Sequence, residues 1–487
     1  MRQFWLRILF SLGVILAAWI SMRHYSRAAG LSLWPYSDAV EYASMAVWTS
    51  RGEGPLLRIG PAFFPARVPP LLSFCLLPQI WLFGEDVSHF YLFSFCCGLV
   101  ALFFFFRICR EFFLSETSCW SATLILAACP AFGKYSGWLM SDVPALMLLC
   151  MLVWLALRLE RDDAKQLWLL WLLAGLATGL LAGLRSTRII WPAFLAVPLL
   201  MRNRKKFGLP ELMIAACGFL PIMVAILIYQ AVYCGGISRT GYHYWIPDFT
   251  SSEGIYWHWA YAFIDVTTSG HPGNLLHYLQ LLLGRGSALY SPLVALAGIA
   301  GLVLIFRERE KEQAWKRFAL PLLAALIVNL ILYSIFLWQS PRFMLEALLI
   351  MSFACGYLLD GVSMRRLEHH RQRVMLNAAV VVIISVSGLF PLPGPDTLLL
   401  KWNHLVQSER LRLASAGDES GVFESALPLP YAALLVPANV VIMPREPQQP
   451  LPVREYHLNA LREFDYTPYS IDEGREELYG QLKKKVE

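Results

Sequence analysis

Charged residues are scarce in this chain of 487 residues. Only 16% are Asp, Glu, Lys or Arg, whereas 57% are hydrophobic, and the mean hydropathy is +0.50. A soluble domain of this size could not bury so much apolar surface. The apolar runs are unbroken for about 17–22 residues and lack the alternation of a membrane β-barrel. The composition therefore predicts a polytopic α-helical membrane protein.

Several common signals are also missing. The chain contains no dinucleotide fingerprint, no P-loop and no HExxH, which argues against a soluble nucleotide donor. None of the ten cysteines forms a CxxC pair, and most fall in or beside apolar runs, where cysteine acts as a small buried hydrophobe. The net charge of +6 lies in short clusters between these runs, so no nucleic-acid partner is predicted.

The hydrophobic runs predict about eleven transmembrane helices. The first, Met1–Met22, is interpreted as a retained helix because no clear cleavage site follows it. Leu71–Phe83 is short and fits an interfacial helix better than a full span. The other ten predicted spans are Val87–Phe106, Ser118–Phe132, Val143–Leu157, Leu167–Leu184, Ile189–Met201, Pro210–Val232, Ala288–Phe306, Phe318–Trp338, Phe343–Leu359 and Val374–Phe390.

Basic residues predict the orientation. With the N-terminus placed in the cytoplasm, the loops on the inner side hold clusters of Lys and Arg within 107–110, 158–165, 202–206, 307–317 and 365–373. This distribution follows the positive-inside rule. It puts two long loops, 23–86 and 233–286, and the C-terminal tail on the outer face. The predicted location is the cell (inner) membrane.

The composition changes near Gly394. Residues 1–393 form the predicted transmembrane domain, and 394–487 a small extracytoplasmic soluble α/β region without a span-length apolar run. Tyr431–Val436 and Val440–Met443 are typical of strands, and Val453–Phe464 of a helix.

The first outer loop contains the stretch Trp34–Pro70, which is too polar and too rich in Gly and Pro to cross a bilayer, and which we expect to lie at the membrane surface with short helices. It carries Asp38, Tyr42 and Arg67. Asp38 has two interpretations. It is either a helix cap, with Glu41 three residues later, or a catalytic base that accepts a hydroxyl proton.

A second acid, Asp142, opens a predicted span on the same outer face, in Ser-Asp-Val-Pro. It is either a plain helix cap before a first-turn proline or a second acid of the same site.

Arginines on the outer side run against the positive-inside bias. The candidates at span ends or in loops are Arg67, Arg185, Arg188, Arg239, Arg285 and Arg342. Each could snorkel to lipid phosphates or bind a substrate phosphate with two hydrogen bonds.

His243 lies in the second long loop among many aromatics, which form either an interfacial belt or a sugar site. The loop histidines do not have a recognised metal spacing.

The pattern resembles the membrane glycosyltransferases of the GT-C fold, in particular the protein O-mannosyltransferases and the lipid A aminoarabinose transferases. The matching residues are Asp38-Ala-Val-Glu-Tyr42, Gly54-Pro-Leu-Leu-Arg58, Phe63-Phe64, Arg67-Val-Pro-Pro-Leu-Leu72, Leu139-Met-Ser-Asp142-Val-Pro144 and Pro341-Arg342-Phe343-Met-Leu-Glu346. In the aminoarabinose transferases an acid and a lysine precede the Pro-Pro pair, whereas this chain has Arg67 and Val68 there.

The resemblance implies a sugar donor carried on a polyprenyl or dolichyl phosphate and used on the non-cytoplasmic face. Asp38 is then the general base, and Asp142 is a second acid of the catalytic site that helps to position the acceptor or the donor. Tyr42, Arg67, Arg185, Arg188, Arg342 and His243 are the substrate-binding candidates. The acceptor is a glycan, a lipid or a protein, and membrane lipid surrounds the site. No cofactor is predicted, and a divalent metal stays an open alternative.

Two other classes compete with this hypothesis. A transporter or flippase for lipid-linked glycans should show ionisable residues in mid-span and an inverted repeat. Here the acids cluster at span ends and no repeat is visible. A polymerase or ligase for lipid-linked glycans also has many spans and long outer loops, but usually lacks an acid-bearing loop directly after the first span.

Overall fold

A computed structural model gives the architecture. It describes residues 2–28, 38–59, 62–113, 115–160, 167–202, 208–245, 257, 259–263, 273–285, 288–307, 318–336 and 340–366. It also describes scattered positions between 372 and 383 and the short segments 422–425 and 441–444.

The described part of the chain is mainly helical. Its longer helices are α1 (Arg2–Ala28), α2 (Asp38–Ser50), α3 (Leu71–Phe83), α4 (Tyr91–Phe112), α5 (Glu116–Ala128), α6 (Pro130–Ser136), α7 (Asp142–Leu159), α8 (Leu167–Leu184), α9 (Ile190–Arg202), α10 (Leu209–Tyr233), α11 (Gly241–Trp245), α12 (Asn274–Leu282), α13 (Pro292–Arg307), α14 (Leu320–Ser334) and α15 (Glu346–Arg366). Short 3₁₀ segments at Ser186–Ile189 and Pro341–Met344 precede α9 and α15.

Five described helical stretches are long and apolar enough to cross a membrane. They are Arg7–His24, Val87–Phe112, Asp142–Leu159, Leu167–Leu184 and Leu209–Tyr233. Leu71–Phe83, Pro292–Arg307 and Leu320–Ser334 are shorter apolar helices. The helical membrane class is therefore supported, while the number of about eleven crossings stays a prediction.

One predicted span is interrupted in the structure. The run Ser118–Phe132 is divided between α5 and α6, because Cys129 adopts an extended conformation directly before Pro130. Proline disfavours helical geometry in the residue before it and cannot donate a backbone hydrogen bond, but it fits the first turn of a new helix. The chain therefore changes direction here and leads towards α7.

Close helix packing depends on small residues. A Cβ atom added to Gly175 of α8 would lie 1.8 Å from the carbonyl oxygen of Ala215 in α10, and one added to Gly218 would lie 2.4 Å from that of Leu172. The two backbones are therefore in direct contact, which only glycine permits. Gly301 of α13 approaches Ala354 of α15 in the same way.

The surface loop after α1 contains a β-hairpin as well as the expected helix. Strands β1 (Leu56–Ile59) and β2 (Ala62–Pro65) pair antiparallel, with Leu57 opposite Phe64. Phe63 packs edge-on against Trp48 near the end of α2, with ring centroids 5.4 Å apart. Because Arg67 follows β2 by two residues, this packing positions Arg67 beside α2.

The C-terminal tail is described only in part. Strands β3 (Val422–Ser425) and β4 (Val441–Pro444) pair in parallel, with Val422 opposite Val441. The predicted strand Val440–Met443 overlaps β4. The predicted strand Tyr431–Val436 and helix Val453–Phe464 lie outside the described residues, as does most of the predicted span Val374–Phe390. The separate α/β region at 394–487 stays a prediction.

Candidate active site

Helix α2 carries three of the site's polar residues near its N-terminus. Asp38, Glu41 and Tyr42 are three and four positions apart, so they lie on one face of the helix. Nearly all of α2 is buried: every residue from Ala39 to Trp48 is inside the protein. Asp38, at the first position, keeps 20% of its side chain exposed. The helix therefore holds a carboxylate at the boundary between the protein interior and solvent.

Asp38 is paired with Arg342. The Arg342 Nη1 atom donates to Asp38 Oδ2 at 3.0 Å and also approaches the sulfur of Met140 at 3.8 Å. The Arg342 side chain is 19% exposed. Burial by itself raises the pKa of Asp38, but the positive charges of Arg342 and Arg67 and the hydrogen bond from Arg342 outweigh it, so this pKa lies below the ordinary value. Asp38 is therefore a carboxylate that remains ionised in the resting site.

Asp142 is paired with Arg185. Asp142 opens α7, Arg185 directly follows α8, and an Arg185 nitrogen donates to Asp142 Oδ1. The Asp142 side chain is 1% exposed and that of Arg185 is 15% exposed. Asp142 Oδ2 has no hydrogen-bond partner among the described residues. The carboxylate thus orients an arginine, although the sequence pattern also allowed a plain helix cap.

Tyr42 connects α2 to the segment before α7. Its hydroxyl donates to Ser141 Oγ at 3.2 Å, and Ser73 Oγ donates to the Tyr42 carbonyl at 2.9 Å. Burial raises the pKa of Tyr42 to about 12. The hydroxyl therefore keeps its proton at neutral pH and acts as a donor, which holds the two acid-bearing segments together.

Arg67 is enclosed in an ion pair with Glu41. Its Nε and Nη2 atoms donate to Glu41 Oε1 at 2.8 and 2.6 Å, and its backbone N–H donates to Glu41 Oε2 at 2.7 Å. Both side chains are buried. The phosphate contact predicted for Arg67 stays a prediction, but the structure directs this guanidinium to Glu41.

Arg188 is enclosed in the same manner. Its Nη1 atom lies 2.5 Å from Glu346 Oε1 and donates to Asn329 Oδ1 at 3.3 Å. The Asn329 amide donates to the Phe343 carbonyl at 2.8 Å. Arg188, Glu346 and Asn329 are all buried, so this group lies beneath the two partly exposed arginines.

Both of those arginines contact the same aromatic ring. The guanidinium carbons of Arg185 and Arg342 lie 5.3 and 5.2 Å from the centre of the Phe343 ring. Phe343 also stacks on Tyr333 with centroids 4.2 Å apart and planes 5° apart. Cation–π distances of this kind are favourable. Phe343 is therefore a contact that the two arginines share.

His243 belongs to α11, which rests on the start of the segment that carries Arg67. A Cβ atom added to Gly241 would lie 1.6 Å from the Ala66 carbonyl oxygen, so α11 can approach only because this residue is glycine. The His243 Nδ1 atom accepts from the Thr240 backbone N–H at 3.2 Å. Substrate contact by His243 stays a prediction.

The structure thus brings Asp38, Asp142, Tyr42, Arg67, Arg185, Arg188 and Arg342 into one connected region. The roles of Glu41 and Asn329 were missed by the sequence reasoning, which interpreted Glu41 only as part of a helix cap. Asn329 had an available signal, since a polar residue inside an apolar span usually has an interior partner. The described residues bring together no group of three His, Cys, Asp or Glu side chains able to hold a metal ion.

Comparison with solved structures identifies the architecture. ArnT from Cupriavidus metallidurans bound to undecaprenyl phosphate superposes with a TM-score of 0.62 at 12% identity, covering 96% of this chain and 89% of that one. The chain has the GT-C fold. The archaeal oligosaccharyltransferase AglB from Archaeoglobus fulgidus, in complex with an inhibitory peptide and a dolichol-phosphate, has the same GT-C fold, with a TM-score of 0.56 at 13% identity over 91% of this chain and 65% of that one.

A family of sequences matches part of the chain. The family described as dolichyl-phosphate-mannose-protein mannosyltransferase matches residues 67–229, a range that contains Asp142, Arg185 and Arg188. A search of curated protein sequences gives no match. The resemblance to the GT-C glycosyltransferases drawn from the sequence is confirmed.

Proposed function

We propose that the chain is a membrane glycosyltransferase that moves a sugar from a polyprenyl-phosphate donor to an acceptor hydroxyl. The observation that carries the proposal is the partly exposed pair Asp38–Arg342 beside the pair Asp142–Arg185. A carboxylate that can take a proton and two arginines that can hold a phosphate meet at one end of the helical bundle. The lipid phosphates bound by the structurally similar proteins support the donor class.

In the proposed reaction the donor phosphate approaches Arg342 and Arg185, the two partly exposed arginines. A phosphate binds a guanidinium with two parallel hydrogen bonds and competes with the carboxylate already there. When Arg342 turns to the phosphate, Asp38 loses its partner and becomes a better base. Donor binding thereby prepares the base for the acceptor.

The chemical step is a single displacement at the anomeric carbon. The acceptor oxygen forms a bond to that carbon while the bond from the carbon to the phosphate oxygen breaks. The acceptor proton passes to Asp38, and polyprenyl phosphate leaves with the bonding electrons. Arg342 and Arg185 stabilise the charge that grows on the leaving phosphate. The configuration at the anomeric carbon is inverted.

The placement of charges favours an enzyme over a transporter. Among the described residues of the site, Asp38, Asp142 and Glu346 are each the first residue of a helix, and Arg185 follows the last residue of α8. A transport pathway needs ionisable groups at mid-membrane depth. We propose that the site lies on the outer face of the cell membrane, with the N-terminus in the cytoplasm. The proposed acceptor is a glycan, a lipid or a protein.

The test is a transfer assay in membranes with a panel of polyprenyl-phosphate sugars. Asp38→Asn keeps the size of the side chain and removes the base, so we expect the rate to fall about 100- to 10,000-fold with the folded protein level retained. Asp86→Asn is the matched control, because Asp86 caps a 3₁₀ turn through Ser88 and asparagine caps equally well. Full activity in Asp38→Asn would remove Asp38 from the mechanism. Absence of transfer by the wild type from every donor would remove the function.

A further inference from the structure

We infer that Arg188, Glu346 and Asn329 form a buried clamp that sets the distance between Arg185 and Arg342, and that Arg188 therefore acts as a positioning residue. This inference rests on the proposed function, because the phosphate is the ligand for which the two arginines are spaced. It changes the role expected for Arg188, which the sequence grouped with the direct substrate contacts.

Burial separates the clamp from the accessible arginines. The side chains of Arg188 and Glu346 are 1% and 3% exposed, against 15% for Arg185 and 19% for Arg342. Asn329, in the middle of α14, is completely buried. A phosphate that reaches Arg185 and Arg342 therefore still has protein between itself and Arg188.

The clamp connects the two chain segments that carry the accessible arginines. Arg188 is three residues after Arg185, and the Arg188 backbone N–H donates to the Arg185 carbonyl at 2.9 Å. Glu346 is four residues after Arg342. The 2.5 Å contact between Arg188 and Glu346 therefore joins the 3₁₀ segment before α9 to the first residue of α15, directly after the segment that carries Arg342.

Asn329 adds a second connection between these segments. Its amide oxygen accepts from Arg188, and its amide nitrogen donates to the carbonyl of Phe343. Phe343 is the residue whose ring contacts the guanidinium groups of both Arg185 and Arg342. The hydrogen bonds thus fix the backbone that carries the ring shared by the two arginines.

Stability alone does not account for the ion pair. Arg188 Nε and Glu346 Oε2 are buried without a hydrogen-bond partner among the described residues. A buried pair with unsatisfied atoms loses solvation that its attraction does not fully restore, and apolar replacements of similar volume are often as stable. A pair of this kind is better explained by the geometry that it imposes.

The experiment replaces the ion pair by neutral side chains of similar volume, in Arg188→Met/Glu346→Gln. The control is Arg51→Met/Glu85→Gln, which removes the exposed pair Arg51–Glu85 elsewhere in the outer loop. Three quantities are measured: the apparent KM and kcat with a polyprenyl-phosphate sugar, and the Kd for undecaprenyl phosphate. We expect KM and Kd to rise about tenfold or more in the clamp variant, because small errors in position weaken two-point binding, and to stay unchanged in the control.

Combination with Arg342→Lys distinguishes positioning from direct contact. If the clamp works through Arg342, this substitution adds little once the clamp is absent, since residues that act as a unit are not additive. Fully additive losses would overturn the inference, as would an unchanged Kd and KM in the folded clamp variant.

If the clamp variant does not fold, Asn329→Ala is used as an alternative test of the inference, because this substitution leaves the ion pair between Arg188 and Glu346 intact. Loss of its hydrogen bonds should raise KM and Kd about fivefold, and unchanged values would overturn the inference. Lipid-phosphate binding separates the two proposals. A wild type that binds undecaprenyl phosphate but transfers no sugar refutes the transferase, while the clamp is still judged by the change in Kd. A wild type that neither binds nor transfers refutes both.

Discussion

The Arg342 guanidinium donates to the Asp38 carboxylate across 3.0 Å, although 304 positions separate the two residues in the chain. The contact joins the start of α2 to the 3₁₀ segment before α15. In the proposed reaction, Arg342 must leave Asp38 for the donor phosphate before Asp38 can accept the acceptor proton. The consequences for pH dependence can be measured.

Arg342→Gln should shift the acid limb of the rate profile. The base is active only when ionised, and the pKa of Asp38 in the wild type lies below its ordinary value of 3.8 because the arginine charges outweigh burial. Removal of Arg342 leaves burial with less opposition, so the pKa of Asp38 rises and activity is lost at a higher pH. The measurement is kcat/KM against pH for both proteins.

The same shift has a stability counterpart. Because the folded-state pKa of Asp38 is lowered, its pairing stabilises the protein above the unfolded pKa, and this contribution is lost as the pH falls through the folded value. The acid side of the unfolding curve should therefore begin at higher pH in Arg342→Gln. An acid limb and an unfolding curve that both stay in place would show that Arg342 does not control Asp38.

Glu41→Ala should destabilise the protein strongly. The substitution leaves Arg67 buried without its carboxylate and also removes the acceptor of the Arg67 backbone N–H. Breaking a buried pair in this way costs about 3–5 kcal/mol of the free energy of unfolding. Glu85→Ala, which breaks the exposed pair with Arg51, should cost about 0–1 kcal/mol. The two variants are compared by thermal unfolding in detergent, and equal losses would contradict the assignment.

Gly175→Ala should force α8 and α10 apart. The new methyl group would overlap the Ala215 carbonyl oxygen, a backbone atom that cannot rotate away. Such overpacking costs about 1–3 kcal/mol. Gly13→Ala in α1 is the matched control, because nothing lies within 4 Å of its added Cβ and alanine favours a helix. We expect the unfolding temperature to fall in Gly175→Ala and to stay unchanged or rise slightly in Gly13→Ala.

Tyr42→Phe and Ser141→Ala should not be additive. Each removes one side of the hydrogen bond that holds α2 to the segment before α7, at a cost of about 0.5–1.5 kcal/mol. The double variant should lose clearly less than the two single losses together. Thermal unfolding of the four proteins completes the cycle, and simple additivity would mean that the bond contributes nothing.

Much of the fold could be predicted from the sequence, because apolar runs long enough to span a bilayer indicate transmembrane helices and clusters of basic residues indicate the loops on the cytoplasmic side. Leu71–Phe83 was predicted with the bounds of α3. The break at Pro130 was missed because the apolar run continues through it, so only the backbone geometry of Cys129 and Pro130 reveals the change of direction.

The candidate site was predictable in its members but not in its pairs. Acids and arginines at the ends of predicted spans can be recognised as candidate site residues from their residue type and position. Which acid faces which arginine depends on contacts between segments hundreds of residues apart, as for Asp38 and Arg342, and no local pattern encodes that choice. The burial of Arg67 against Glu41 likewise depends on the β1–β2 hairpin, which the sequence reasoning did not predict.

The pairing of arginines with carboxylates also bears on selectivity. In the part of the chain that the structure describes, Arg67, Arg185, Arg188 and Arg342 each face an acid, so positive and negative charges in the resting pocket nearly cancel. A dissolved phosphate ion attracted by charge alone gains little from such a pocket. Under the proposed function, the hydrocarbon tail of an isoprenoid phosphate would keep that phosphate beside the pocket long enough to exchange partners. If the proposed donor is correct, soluble anions would thus be disfavoured before any sugar is recognised.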